Sequence, residues 1–335
     1  MLLREWIRKA FDDKYDCQRK DMEFEFLIAL SVDMGGKEEM SFKSGFVTIV
    51  GRPNVGKSTL VNKFAGEKIS IISSKPQTTR NTIKTIVNGE DCQIIFLDTP
   101  GIHKPKTRLG EYMVNLAEST LNEVDIVLFL VEATDTEPGA GDLFILEQLK
   151  NLKTHVFLII NKIDTVKKDQ ILGTIKNYSA LMDFKAVIPI SALNDDGTEI
   201  VLDEIKKLLP EGPKYFPDDI LTDQPEKMIA AELIREKILE LTNEEVPHGV
   251  GVEVISFKER QNRDLVDIEA NIYCEKDSHK GILIGREGKM LKKIGTLSRQ
   301  EIESLLGAKV FLQLWVKVKP DWRNSDNMLK TLGYK

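Results

Sequence analysis

The chain has 335 residues, too many for one ordinary core and enough for two domains of common size. With 41% hydrophobic and 30% charged residues it can fill packed cores, which excludes disorder along its whole length. The formal charge of −6 excludes a uniformly basic coat, but Lys280 to Lys335 holds 12 Lys/Arg against 5 Asp/Glu, a surplus of seven, leaving −13 on residues 1–279. Such a basic end either meets a polyanion or only solvates helix faces.

Along residues 1–40, Glu5, Arg8, Asp12 and Lys14 mix with apolar residues in a way that permits a helix, for a membrane or a partner. The alternative favoured here is a leader ahead of a start at Met40, because Met34 to Met40 can be encoded by purine-rich codons resembling a ribosome-binding site. No small-residue cleavage site follows a long apolar core, and Phe24 to Val32 is too short to span a bilayer. Cys17, Cys92 and Cys274 are far apart and form no metal-ligand cluster, as expected in a reducing cytoplasm.

From Phe46 the text alternates apolar runs with amphipathic stretches. Phe46 to Val50, Gln93 to Leu97, Ile126 to Val131, Val156 to Ile160 and Val187 to Ile190 read as strands buried on both faces. Residues 41–209 therefore predict an α/β domain with a mostly parallel, doubly wound sheet. Prolines at 210, 213, 217 and 225 interrupt any helix or central strand, so 210–225 is expected as a linker. Residues 226–335 then read helix (Glu226 to Leu241), two strands (Gly249 to Lys258, Leu265 to Tyr273), two helices around a glycine loop (Lys280 to Leu306), a strand (Ala308 to Val318) and a short helix, a separate α+β domain.

The first strand runs into Gly51-Arg52-Pro53-Asn54-Val55-Gly56-Lys57-Ser58-Thr59, a full match to the P-loop pattern between a strand and a helix. Its glycines let successive N–H groups wrap a phosphate, Lys57 can reach the β- and γ-oxygens, and the Ser58 hydroxyl can ligate Mg²⁺. Asp98-Thr99-Pro100-Gly101 follows the second strand, where the carboxylate would hold Mg²⁺ through water and the glycine N–H would sense a γ-phosphate. Asn161-Lys162-Ile163-Asp164 ends another strand, at the edge where such sheets bind ligands. The Asp164 carboxylate can accept from both N1–H and N2–H₂ of guanine, a pair that adenine does not offer, so GTP is expected over ATP. Ser191, Ala192 and Leu193 would bring backbone N–H groups near the base oxygen, and with Ile102 these segments form the expected GTP/GDP site.

In the basic end, Gly285-Arg286-Glu287-Gly288 lies between two predicted helices, with Lys289, Lys292 and Lys293 beside it. A Gly-x-x-Gly loop admits a nucleic-acid backbone closely, and the αββααβ order suits a type II KH domain, an RNA-binding fold. Trp322 is expected as a core anchor in preference to a base-stacking residue.

The P-loop spelling, Lys68-Ile69-Ser70-Ile71, Pro76-Gln77-Thr78-Thr79-Arg80-Asn81 and Asp98-Thr99-Pro100-Gly101-Ile102-His103 together resemble the translation-factor-class, Era-like family of bacterial GTPases with a C-terminal KH domain, from about residue 42 onward. That resemblance implies a switch loop at Pro76 to Asn81, with Thr79 favoured over Thr78 as the Mg²⁺-closing threonine. Ile102 stands where Ras-like enzymes carry a water-orienting glutamine, so turnover is expected to be slow. Asn54 resembles the asparagine through which related GTPases bind K⁺ near the phosphates, which makes Asn54 and Thr79 the candidates for a catalytic role. The resemblance further implies binding of the 3′ region of 16S ribosomal RNA, assistance to 30S subunit assembly and peripheral contact with the inner face of the cell membrane; a monomer is expected. A GTP-regulated RNA-binding module with incidental hydrolysis is the alternative.

Overall fold

In the structure, a computed structural model, residues 42–334 are described apart from 74, 76, 77, 102–104, 245 and 261–263. The expectations for residues 1–40 and for Ile102 lie outside the described residues.

The first unit contains β1 (Lys43–Val50), α1 (Lys57–Ala65), β2 (Ile83–Asn88), β3 (Cys92–Asp98), α2 (Arg108–Leu121), β4 (Ile126–Glu132), α3 (Ala140–Leu149), β5 (His155–Asn161), α4 (Lys168–Ser179), β6 (Ala186–Pro189) and α5 (Thr198–Leu208). Its six strands run in the order β2-β3-β1-β4-β5-β6, and only the β2–β3 pair is antiparallel. Apolar runs become strands because both faces are covered: along β4, Ile126, Leu128 and Leu130 enter one core while Val127, Phe129 and Val131 enter the other. Each such fully buried side chain contributes roughly 1.5–3 kcal/mol. Every parallel strand ends its run at the same sheet edge, which brings the loops after β1, β3 and β5 together.

The second unit contains α6 (Glu226–Leu241), β7 (Gly251–Glu259), β8 (Leu265–Cys274), α7 (Asp277–Ile284), α8 (Lys289–Leu306), β9 (Lys309–Val318) and α9 (Asp326–Thr331). In its sheet β8 is central, antiparallel to β7 and parallel to β9. One face is sealed by Leu233, Ile234 and Ile238 of α6 and by Ile294 and Ile302 of α8. The buried residues of α8, Ile294, Ser298 and Ile302, recur every four positions as a core-facing stripe requires.

Residues 210–225 form no helix or strand but are bound to the first unit. Gln93 of β3 donates to Phe216 O at 2.7 Å and accepts from Tyr215 N at 2.8 Å, and Leu221 O accepts from Ile86 N. The two units also share packing: Leu109 and Met113 of α2 cluster with Trp322, Leu329, Leu332 and Tyr334, and Ile71 joins the core of the second unit. Among the described residues no helix is long and apolar enough to cross a membrane.

Candidate functional site

The P-loop turns through backbone angles that suit its spelling. Asn54 and Gly56 adopt φ of 69° and 104°, and a Cβ at Gly56 would collide with the Asn161 amide. Lys57 follows as the first residue of α1, folded back so that its ammonium donates to Gly51 O at 3.1 Å and Arg52 O at 2.9 Å. Burial pushes this ammonium down to about 8, against the opposing pull of Asp98. The Arg52 side chain turns away from the loop, pairing with Asp135 and donating to the buried Asp142 at 3.0 Å. Asp142 also accepts from Tyr178 Oη and Gly139 N, so the network ties the P-loop to α3 and α4.

Asp98, at the end of β3, is wholly buried, and burial pushes its carboxyl upward against Lys57 and Ser58. Oδ2 accepts from Ser58 Oγ at 2.9 Å, Oδ1 has no hydrogen-bond partner, and Thr79 Oγ1 lies 3.2 Å from Ser58 Oγ. Two hydroxyls and an unpartnered carboxylate oxygen are the hard donors that suit Mg²⁺, which takes few protein ligands when phosphates supply the rest. Among the described residues no cluster of three His, Cys, Asp or Glu offers an alternative metal site. Gly101 lies nearby, where an added Cβ would come 3.5 Å from Lys57 Nζ.

Asn161 braces the other end of the cleft. Its amide donates to Val55 O at 2.8 Å and accepts from Ala192 N at 3.0 Å, locking the P-loop to the segment after β6. Lys162, with φ of 66°, donates to Asn54 O at 2.9 Å and pairs with Glu132. Ile163 packs against the core, and Asp164 presents its carboxylate to Ser191 Oγ, which donates at 2.6 Å. Leu193 is 77% exposed at the rim. Thr99 donates to Ile49 O and Pro100 is buried, so both shape the loop after β3 from within.

These residues surround a cleft of about 360 Å³ lined by Asn54, Lys57, Ser58, Thr79, Gly101, Asn161, Lys162, Asp164 and Leu193. Also lining it are Thr59, Ile71, Ile72, Ser73, Lys75 and Thr165, which sequence reasoning did not single out as site residues. Thr59 directly follows the P-loop serine and Thr165 directly follows Asp164, a signal that was available; Ile71, Ile72, Ser73 and Lys75 reach the cleft only through tertiary folding. Described residues of that stretch and just beyond it are held by the second unit. Arg235 of α6 donates to Thr78 O, Glu236 accepts from Ile72 N at 2.8 Å, and the buried Arg80 donates to Val250 O at 2.7 Å and His248 O at 3.3 Å.

About the second glycine loop, Gly285 has φ of 69° and a Cβ there would lie 2.7 Å from Met290 Cβ. Glu287 and Gly288 also take positive φ, so Arg286 and Glu287 project outward ahead of the N-terminus of α8. Lys289, Lys292 and Lys293 are exposed along its first turns, and Lys289 pairs with Glu287 at 2.9 Å. Exposed cations at a helix N-terminus suit a phosphate backbone. Trp322 is fully buried and donates to Gly249 O at 2.8 Å, as a core anchor does.

A family model described as 50S ribosome-binding GTPase matches residues 46–162, and a KH domain model matches 245–323. GTPase Era of Ruminiclostridium cellulolyticum is 65% identical over 296 residues, covering 88% of this chain and 99% of the relative. GTPase Era of Alkaliphilus metalliredigens is 57% identical over 295 residues, covering 88% and 100%. Among solved structures, Era in complex with MgGDPNP and nucleotides 1506–1542 of 16S ribosomal RNA superposes with a TM-score of 0.85 at 41% identity, covering 88% of this chain and 99% of that one. A variant of Aquifex aeolicus Era bound to GDP·AlF₄⁻ gives 0.84 at 41% identity, with the same coverage. The chain belongs to the GTPase Era family, a P-loop GTPase domain with a mostly parallel sheet followed by a C-terminal KH domain.

Proposed function

We propose that the protein is a GTP-hydrolysing switch that binds the 3′ region of 16S ribosomal RNA and assists assembly of the 30S subunit. The observation that carries this reading is the convergence of Lys57, Ser58, Thr79 and Asp164 on one cleft, with the buried Asp98 accepting from Ser58 behind it, in a chain whose second unit presents a Gly-x-x-Gly loop. The RNA arm is further supported by the related Era that was solved with nucleotides 1506–1542 of that RNA and MgGDPNP.

In this reading the N–H groups from Asn54 through Ser58 cradle the phosphates, Pro53 having none to donate, and Lys57 leaves its loop carbonyls for the β- and γ-oxygens. Ser58 and Thr79, with Asp98 behind them, would hold Mg²⁺, which would offset charge on the phosphates. Gly101 N–H faces the γ-phosphate, Asp164 reads the guanine edge with Ser191 orienting it, and the segment from Ser191 to Leu193 borders the base. Asn54 lines the same cleft and is the residue proposed to hold K⁺, which would place positive charge where an arginine finger acts in other GTPases. Arg286, Lys289, Lys292 and Lys293 meet RNA phosphates around Gly285 and Gly288. The domain division at 41–209, 210–225 and 226–335 rests on the pattern of apolar runs and on the prolines, the cytoplasmic setting on the dispersed cysteines, and peripheral membrane contact on the family resemblance; the protein is taken as a monomer.

The test is binding of RNA spanning nucleotides 1506–1542 to the full chain. Changing Arg286 and Glu287 together to Asp puts negative charge where phosphates pass, so RNA affinity should fall and become less salt-dependent while GTP affinity stays level. Unchanged RNA affinity would remove the loop from the site.

A further inference from the structure

Strand β9 forms one edge of the second sheet, and its side chains divide sharply between two faces. Leu312, Leu314 and Val316 point toward the core with α8, whereas Lys309, Phe311, Gln313, Trp315 and Lys317 are all exposed on the other side. Phe311 is 48% and Trp315 39% exposed, large values for aromatic side chains on a regular strand. Three residues of strand lie between the rings, a rise of about 13 Å over four steps, so one base cannot touch both. A lysine lies two residues beyond each ring, and an amide side chain lies between them.

The neighbouring strand shapes this face. Asp267 sits beside Phe311 in register, but its carboxylate is taken up by Arg260, which donates to it at 2.7 Å through both Nε and Nη2. The same guanidinium lies 5.7 Å from the Phe311 ring centroid. It therefore backs the ring as a cation–π partner and neutralises the nearest acid. Glu269 pairs in register with Gln313, so the span between the rings holds an acceptor and an amide able to meet base amino groups.

We propose that the open face of β9 is a second single-stranded RNA platform, on which Phe311 and Trp315 stack two separate bases while Lys309 and Lys317 meet the flanking phosphates. This rests on the RNA-binding reading above and extends it to a surface apart from the Gly285–Gly288 loop. The two surfaces are continuous through β9, which packs on α8 with one face and leaves the other open at the sheet edge. RNA leaving the glycine loop can cross that edge. Stacking suits the pattern because every base has a π-face, and a lysine, aromatic, amide, aromatic, lysine alternation supplies phosphate contacts at matching intervals.

The experiment compares the full chain with Phe311→Thr, Trp315→Thr and the double variant, since threonine keeps strand propensity while removing the ring. Two RNAs are titrated: nucleotides 1506–1542 of 16S ribosomal RNA, and a four-nucleotide piece of it whose binding the double-aspartate loop variant loses. Each aromatic loss should weaken the long RNA by about tenfold and leave the short one unchanged. The long RNA should also quench the Trp315 emission, and that quenching should vanish in Trp315→Thr. Equal affinity of all variants for the long RNA would overturn the platform, as would parallel loss for both RNAs, which would mean that the groove beside the glycine loop had been disturbed. If the unaltered protein holds neither RNA, the RNA-binding reading itself fails and takes the platform with it.

Discussion

Arg80 follows the candidate Mg²⁺-closing threonine and is wholly buried against the second unit, so Arg80→Met asks whether that unit holds the switch segment in place. The guanidinium donates to Val250 O at 2.7 Å and His248 O at 3.3 Å, and lies 5.7 Å from the Trp322 ring centroid. Hydrogen bonds from a charged donor are worth about 1.5–3 kcal/mol each, and a desolvated cation–π contact about 1–2 kcal/mol. Burying the charge takes back part of that sum, and Arg80 Nε is left without a partner. The balance is a loss of about 2–4 kcal/mol in the docking of the two units. Amide hydrogen exchange reads this directly: residues 79, 80, 249 and 250 are buried, and their exchange should quicken by roughly 30- to 700-fold if they exchange through undocking. Affinity for a GTP analogue with Mg²⁺ should fall with it, because Thr79 would no longer be held 3.2 Å from Ser58 Oγ, while GDP affinity changes little. Unchanged protection at all four amides would refute the reasoning.

Three further outcomes follow from the cleft. Asn161→Ala leaves Val55 O and Ala192 N unpaired in the interior and should cost about 2–5 kcal/mol in urea unfolding; an unchanged midpoint would mean that the clamp is dispensable. Lys57 has a folded value of about 8, below its usual 10.5, and phosphates favour its charged form. Affinity for GTP should therefore hold steady below pH 8 and weaken above it, about eightfold between pH 7.5 and 9, with Lys57→Arg flat over that range. The same shift means that stability of the nucleotide-free protein rises with pH between about 8 and 10.5, where the unfolded chain binds the extra proton. Arg52→Ala strands the buried Asp142, whose carboxyl burial already pushes upward, so unfolding should show a loss of about 2–4 kcal/mol at pH 8 that shrinks as the pH falls and Asp142 protonates. A pH-independent loss would assign the effect to packing alone.

The nucleotide cleft was legible because phosphate and guanine chemistry demands particular residues at fixed spacing. Lys57, Asp98 and Asp164 could be placed from strand ends alone, since a parallel sheet collects its loops at one edge. Strand β2 does not stand out as a buried run: Ile83–Asn88 is an antiparallel edge strand in which Lys84, Val87 and Asn88 are only half-buried, so its pattern is mixed. The prolines of 210–225 account for a stretch with no helix and no strand, only isolated bridges at Glu211 and Thr222, but they say nothing of Gln93, whose side chain fastens that stretch 122 residues away in sequence. Arg80, Arg235 and Tyr334 were equally silent. Their meaning lies in contacts between the units, such as Arg80 to Val250 across 170 positions, and no local periodicity encodes them.

Guanine recognition by Asp164 is the claim on which the cleft's function depends most. Its carboxylate, oriented by Ser191 at 2.6 Å, would accept two hydrogen bonds from guanine, together worth about 3–6 kcal/mol. In Asp164→Asn the amide N–H₂ would oppose the guanine donors but suit the C2 carbonyl of xanthine. Competition of GTP and XTP for the purified variant should show GTP affinity lower by about 10²- to 10⁴-fold and XTP bound more tightly than by the unaltered protein. Retention of GTP preference in the variant would contradict the assignment of this cleft to guanine nucleotides through Asp164.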